Sequence, residues 1–597
     1  MGTPRRTSND LGFDPDALRD KYRAEREKRL RKDGNDQYLP LEQDGLEDLY
    51  GDPNFARTPI DEAVDFLIVG GGWGGLLIAV RLIEAGVTNI RIVEKAGDFG
   101  GVWYWNRYPG AACDMESYIY MPLLEEMGYM PSEKYAKGPE LLAYARAIGK
   151  KYGLYDKVLF QTELLTLEWD EEAARWNGST SRNDNVRARF VATASGPLHN
   201  PKIPRLPGRE SYKGRAFHTT RWDYGFTGGD VSGGLDRISD KRIGIVGTGA
   251  TALQAIPHLA EGAKHLYVFQ RTPSSVDVRN DGPTDEEWAA KLTPGWQKRR
   301  MENFNTIVTG GKVEEDLVND SWTDILRNLS FVSEAKTVKD LGGDTSLRQL
   351  ADFNKMERVR ARVESLVEDP ATAEKLKPWY NQFCKRPCFH DHYLQTYNRP
   401  NVTLVDTGGR GIERMTEAGV IANGEEYELD CVIYATGFEY AVSHTNRSAL
   451  VVRGRGGTTL AEKWKDGAST FHGLYSNGFP NLYVVSLLQS GLTPNLPHML
   501  EEQATHIAYV TSHCVKKGIR TMECSADAEE SWVQTIVELG KFQEEFFKEC
   551  TPGYYNNEGK ESEAVLRNST YGLGSPAFIQ LLRDWREAGQ LQGLECR

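Results

Sequence analysis

An apolar run that breaks into glycines and resumes as a helix, FLIVGGGWGGLLIAVRLIEAG from Phe66, restricts this chain more than any other feature. A second apolar run, IRIVEKAG, follows it, so the order is strand, glycine turn, helix, strand. That order is the βαβ unit of a dinucleotide-binding fold. Gly70 permits the tight turn, Gly72 lets the backbone approach a pyrophosphate, and Gly75 lets helix and strand pack closely. The anion then rests on the free N–H groups and the positive end of the helix. Glu94 closes the next strand, where a carboxylate accepts hydrogen bonds from ribose hydroxyls.

A second unit of the same kind starts at Lys241 with KRIGIVGTGATALQAIPHLA and continues into HLYVFQRTP. Gly247, Gly249 and Ala252 occupy the three turn positions, alanine being an accepted variant of the last. At the distance beyond Ala252 that separates Gly75 from Glu94 stands Arg271. A carboxylate there repels a 2′-phosphate, whereas a guanidinium offers it charge-assisted hydrogen bonds. The second site therefore reads as NADP, against the plainer reading of a surface arginine ending a strand.

The chain, at 597 residues, is too long for one core. We expect an α/β protein with two Rossmann-type domains and a helical insertion in the second. The expected division is a polar extension over 1–60, a first dinucleotide domain over 61–204 and 435–597, and a second over 205–276 and 382–434. The insertion occupies 277–381, where the pattern turns polar and helical. The leader carries one surface helix near 14–32, its basic residues read as a solvated face. A net charge of −13 argues against nucleic-acid or anionic-membrane partners. The longest apolar stretch is interrupted by glycines and falls short of a membrane span. No secretory pattern follows Met1, so a cytoplasmic location is the expectation, as a monomer or weak homo-oligomer. Eight sparse cysteines show no paired framework. Cys384, Cys388, His390 and His392 lack the paired spacing of a zinc site, so no metal is expected.

Two dinucleotide folds occur together in disulfide reductases, in N- or S-oxygenating flavin monooxygenases and in Baeyer–Villiger monooxygenases. The first class needs a pair such as CxxC beside its flavin, and Cys384 and Cys388 are one residue too far apart. YKGRAFHTTRWD resembles the type I Baeyer–Villiger fingerprint, FxGxxxHxxxW followed by Pro or Asp. Gly214, His218, Trp222 and Asp223 match, with Tyr212 in place of the opening Phe. GGVWYWNRYPGAACD meets a second pattern of that family through Gly101, Trp103, Tyr108, Pro109, Gly110 and Asp114. The likeness runs from about residue 61 to the C-terminus and includes ATGF at 435–438 and GFPNLY at 478–483. The leader, LYDKVLFQTE and CTPGYYNNEG are most similar to the long-chain branch that acts on large-ring and polycyclic ketones.

The resemblance implies FAD in the first site, NADPH in the second, and O2 and a ketone as substrates, giving an ester or lactone. It implies that Arg386 stabilises a flavin peroxide, that Asp114 orients this arginine, and that Lys385 helps grip the 2′-phosphate. An arginine suits the first role because it stays charged without acting as an acid. Gly101 and Trp103 carry over to the flavin site, and His218 and Trp222 to NADP placement and domain closure. Asp114 as a helix N-cap before MESYIY and His218 as a core histidine stay open as plainer readings. An N- or S-oxygenating flavin monooxygenase is the alternative activity, and a non-catalytic dinucleotide-binding protein a more distant one. SGLTPNLPHML, residues 490–500, is expected near the flavin, or else forms an ordinary strand-to-helix turn. If Arg271 meets a 2′-phosphate, Arg271→Ala weakens NADPH binding roughly tenfold to 150-fold and leaves NADH nearly unaffected. Steady-state titrations with both nucleotides check this, and equal losses for the two would place the phosphate elsewhere.

Overall fold

The computed structural model describes residues 12–39, 47–198, 200–325, 347–439, 450–560 and 564–597. Phe66, Leu67 and Ile68 are fully buried in the strand Asp61–Val69, which explains the unbroken apolar run there. This strand pairs in parallel with Ile90–Val93 on one side and Asn185–Thr193 on the other. Val158–Leu159 and Leu482–Val484 extend the parallel sheet at its two sides. A meander of Leu164–Asp170 and Arg175–Thr180 pairs antiparallel to the start of Asn185–Thr193. The sequence pattern did not single out that meander. The run NLYVVSLL contributes only Leu482–Val484 as strand, because residues 485–488 turn away to wall a cavity.

A second parallel sheet orders Val402–Asp406, His265–Gln270, Arg242–Val246, Cys431–Tyr434 and Arg215–His218. The architecture is thus α/β with two Rossmann-type sheets. The two glycine turns are built alike. Gly70 and Gly247 both have φ +110°, in the region that favours glycine. Gly72 and Gly249 open their helices, Trp73–Glu84 and Ala250–Gly262, with nearly equal backbone angles. A Cβ on Gly75 would lie 1.8 Å from the Gly70 carbonyl oxygen, so this position admits no side chain. Ala252 fits its place in the second helix fully buried.

Helices Trp296–Val308, Leu347–Leu366 and Pro370–Leu376 occupy the expected insertion, whose residues 326–346 lie outside the described residues. Short parallel strands Val276–Asp277 and Cys388–Phe389 pair where the chain leaves for it and returns.

The leader helix Pro15–Glu27, capped by Asp14, lies at the surface as expected and packs one face, with Leu18, Tyr22 and Glu25 buried. Tyr22 packs edge-on against Phe353 of the insertion, and its hydroxyl accepts a hydrogen bond from Arg360 at 3.0 Å. Arg29 is buried, donating to both the carboxylate and the backbone carbonyl of Glu25 and to the backbone of Arg271. One expectation needs correction, and it concerns the cysteines. Cys384 and Cys550 form a disulfide across 166 residues of sequence, a partnership that local spacing cannot reveal. It ties the segment of Lys385 and Arg386 to the C-terminal region. Closing so long a loop stabilises the fold by about 2–4 kcal/mol, so reductant or Cys384→Ser lowers the guanidinium midpoint. Peptide mapping without reductant checks the pairing, and separate, freely alkylated Cys384 and Cys550 peptides would refute it.

Candidate active site

The first glycine turn and the start of the helix that follows the second border one cavity of about 1930 Å³. That is roughly twice the upper end of the usual range for a single small-ligand pocket, ~1,000 Å³, so it has room for more than one ligand. Its wall takes Gly70, Gly72 and Glu94 from the first unit and Ala250, Thr251 and Gln254 from the second. Neither turn helix has a side-chain cap, so the first N–H groups of each remain for an anion. Gly72 and Gly101 lie back to back, and a Cβ on Gly101 would stand 2.7 Å from the Gly72 Cα. Bare backbone therefore faces the cavity where a pyrophosphate has to approach. Glu94 accepts hydrogen bonds from the N–H of Gly71 and, at 2.7 Å, of Ala96. Burial pushes its carboxyl up, and these two donors oppose the shift. These features fit an FAD site. Trp103 also lines the cavity, its indole N–H donating to the Tyr120 hydroxyl at 3.0 Å.

Arg386 and Asp114 meet on the same wall. The guanidinium donates through Nε to Oδ2 and through Nη2 to Oδ1, both at 2.7 Å, which is the bidentate fork. The Trp322 ring lies 5.2 Å from the guanidinium carbon, and the Trp322 indole N–H donates to the Asp114 backbone carbonyl at 2.9 Å. Burial works against the arginine's charge, but Asp114 more than compensates and holds the group firmly cationic. Asp114 is not a helix cap, because the turn Ser117–Tyr120 starts after Glu116.

The remaining predicted residues divide into two groups. Arg271 donates to Gln37 at 2.7 Å and to Glu558 at 3.0 Å. Lys385 donates to the Pro552 carbonyl at 3.0 Å, and burial together with neighbouring Arg271 brings its ammonium down to about 8. These two cations thus share one neighbourhood with the leader and the C-terminal segment. Neither these two cations nor His218 and Trp222 line the cavity. The Trp222 indole donates to Thr227 Oγ1 at 3.0 Å within the core of the second sheet. His218 is buried, accepts from the Thr220 N–H at 3.2 Å, and burial and Arg221 bring its ring down to about 3. It stays neutral at ordinary pH. Sequence reasoning missed Glu558, Gln37 and Trp322, which no local pattern distinguishes from ordinary surface or core residues.

Residues 68–127 match the model of an NAD(P)-binding Rossmann-like domain. Neopentalenolactone D synthase of Streptomyces avermitilis is 52% identical over 98% of this chain and 99% of its own length. The Baeyer-Villiger monooxygenase ATR8 of Stachybotrys chlorohalonatus is also 52% identical, over 98% of this chain and 95% of its own. Among solved structures, the polycyclic ketone monooxygenase of Thermothelomyces thermophila superposes with a TM-score of 0.90 at 39% identity, covering 98% of this chain and 99% of the other. Fold and site define a two-dinucleotide flavoprotein oxygenase. The chain belongs to the Baeyer–Villiger monooxygenases, and FAD and NADPH are its cofactors.

A lysine near pH 8 in its titration carries a pH dependence. Below about 8 Lys385 is charged; if it meets the 2′-phosphate as the resemblance implies, then above about 8 the phosphate must draw a proton onto the amine, and affinity falls by up to about tenfold per pH unit. The dissociation constant of NADP+ should therefore rise above pH 8 while that of NAD+ stays level. Parallel profiles for both nucleotides would remove Lys385 from the phosphate site.

Proposed function

We propose that this enzyme uses NADPH and O2 to insert one oxygen beside the carbonyl of bulky cyclic or polycyclic ketones, yielding lactones or esters. The observation that carries this reading is the Arg386–Asp114 fork on the wall of the cavity that the first glycine turn and the helix after the second both line. FAD, reduced by NADPH, supplies the activation of O2 when bound. Gly70, Gly72 and Gly75 with Glu94 hold its ADP half, and Gly101 and Trp103 border the flavin. Gly247, Gly249 and Ala252 seat the pyrophosphate of NADPH, and Arg271 and Lys385 take its 2′-phosphate. His218 and Trp222 act at one remove, by shaping the strand and turn beneath the nucleotide.

Arg386 is the group that meets the reacting atoms. Asp114 takes two of its N–H donors and fixes the guanidinium plane, which leaves the Nη1 side for an oxygen that gains negative charge. Such a preset cation stabilises the charge as it develops, and because it gives up no proton it does not quench it. Trp322 covers the arginine and limits water beside it. Leu492, Thr493, Pro494, Leu496 and Leu500 wall the same cavity, which supports an extended apolar substrate. The similarity to a polycyclic ketone monooxygenase points the same way. The division at 61–204, 205–276, 277–381, 382–434 and 435–597 follows the two sheets in this reading. The acidic charge of −13 supports the absence of a nucleic-acid partner, and a cytoplasmic enzyme that is a monomer or weak homo-oligomer completes this reading.

Arg386→Ala should retain bound FAD and still oxidise NADPH, but lose ester formation by about 100- to 1000-fold and release hydrogen peroxide instead. Product analysis by mass spectrometry, with peroxide measured alongside, checks this across large-ring, steroid and small ketones. Near wild-type ester formation would move the catalytic cation elsewhere.

A further inference from the structure

Glu558 is a buried carboxylate that the reaction does not use, 4% exposed and placed among the cations assigned to the 2′-phosphate. It accepts from Arg271 Nη2 at 3.0 Å, from Lys202 Nζ at 3.4 Å and from the Tyr38 hydroxyl at 3.4 Å. Lys385 lies beside it, donating to Pro552 of the same C-terminal segment. Asn557 and Glu558 both have positive φ, 54° and 56°, a conformation that asparagine tolerates but that is unfavourable for glutamate. Asn35 of the leader adds a hydrogen bond to Asn557. Burial pushes the Glu558 carboxyl up, but Arg271, Lys202 and Lys385 outweigh this and keep it below the usual range, so it is an anion.

A dinucleotide fold places the adenosine 2′-position beside the end of its second strand, and Arg271 follows Gln270 at that end. The anion that Arg271 now meets belongs to the chain itself. We propose that Glu558 is an internal substitute for the 2′-phosphate of NADPH, keeping Arg271, Lys202 and Lys385 gathered until the nucleotide arrives and then yielding these cations to it. The inference rests on the reading that Arg271 and Lys385 bind the phosphate. The two anions compete for one set of cations, so the phosphate enters only as the carboxylate withdraws. Tyr554, Tyr555 and Asn556 line the same cavity as Arg386, so this withdrawal also reshapes the wall near the reacting atoms. Nucleotide arrival is thereby coupled to the substrate space, and NADH, which brings no phosphate, leaves the segment in place.

The test uses the FAD-loaded enzyme titrated with NADP+ and NAD+. Glu558→Gln keeps the shape of the side chain and removes its charge, so NADP+ should bind about fivefold or more tighter while NAD+ is unchanged. Unchanged or weaker NADP+ binding overturns the proposal. Hydrogen exchange on the wild-type enzyme gives a second readout that needs no variant. NADP+, and not NAD+, should speed exchange at the amides of residues 553–560, and unchanged or slower exchange with NADP+ overturns the proposal. Arg271→Ala separates the two levels of the argument. Retained preference for NADP+ in that variant defeats the phosphate-site reading itself, whereas lost preference together with no gain in Glu558→Gln defeats only the role of Glu558.

Discussion

The fork between Arg386 and Asp114 joins parts of the chain that otherwise belong to different layers. Asp114 follows the first dinucleotide unit, and Arg386 stands where the chain re-enters the second after the helical insertion. A charge pair of this kind, partly out of water, is worth having only if its geometry is good and its other atoms are satisfied. The structure meets both conditions: each carboxylate oxygen takes one N–H, and the Asp114 carbonyl is occupied by Trp322. Trp322 comes from the insertion, so that region is part of the site's support. The short parallel pair Val276–Asp277 and Cys388–Phe389 sets the return point of the chain, two residues beyond Arg386. The position of one cation thus depends on the first sheet, on the second and on the insertion between its strands.

A second set of polar contacts gathers the two ends of the chain around the end of the strand His265–Gln270. From the leader come Arg29, Gln37 and Tyr38, and from the C-terminal region comes Glu558. Glu25 shows the strength of this packing. Burial pushes its carboxyl up, yet hydrogen bonds from Lys28 and Arg29 bring it to about 2. The Cys384–Cys550 disulfide lies nearby and holds the tail to the segment that carries Lys385. The end of this strand, the leader around Arg29 to Tyr38 and the segment of Glu558 are consequently packed together. A leader that reads as polar thus contributes contacts to the second sheet.

How much was legible in the sequence follows from the range of the forces involved. Both Rossmann turns were legible, because a strand, a glycine turn and a helix are local and periodic, and a missing Cβ at Gly75 has one steric cause close by. The insertion showed itself through composition. Asp114, Lys385 and Arg386 were noticed through motifs of a family, which also implied that Asp114 orients Arg386. One expectation was too local: NLYVVSLL read as a longer strand than it forms.

Tertiary structure alone decided two of the partnerships. Arg271 with Glu558 and Cys384 with Cys550 are 287 and 166 residues apart, and nothing in the flanking residues encodes a partner at that distance, whereas Arg386 with Asp114 was implied by the family resemblance. Tertiary structure also decided that His218 and Trp222 sit beneath the nucleotide fold and off the cavity wall, since their burial depends on how the strand Arg215–His218 docks beside Cys431–Tyr434. The sequence by itself determined two dinucleotide folds and the chemical types of residue available to them, because glycine sterics and hydrophobic period act between near neighbours. Which charge faces which was settled only by folding, because electrostatic partners are chosen by proximity in space and not by order along the chain.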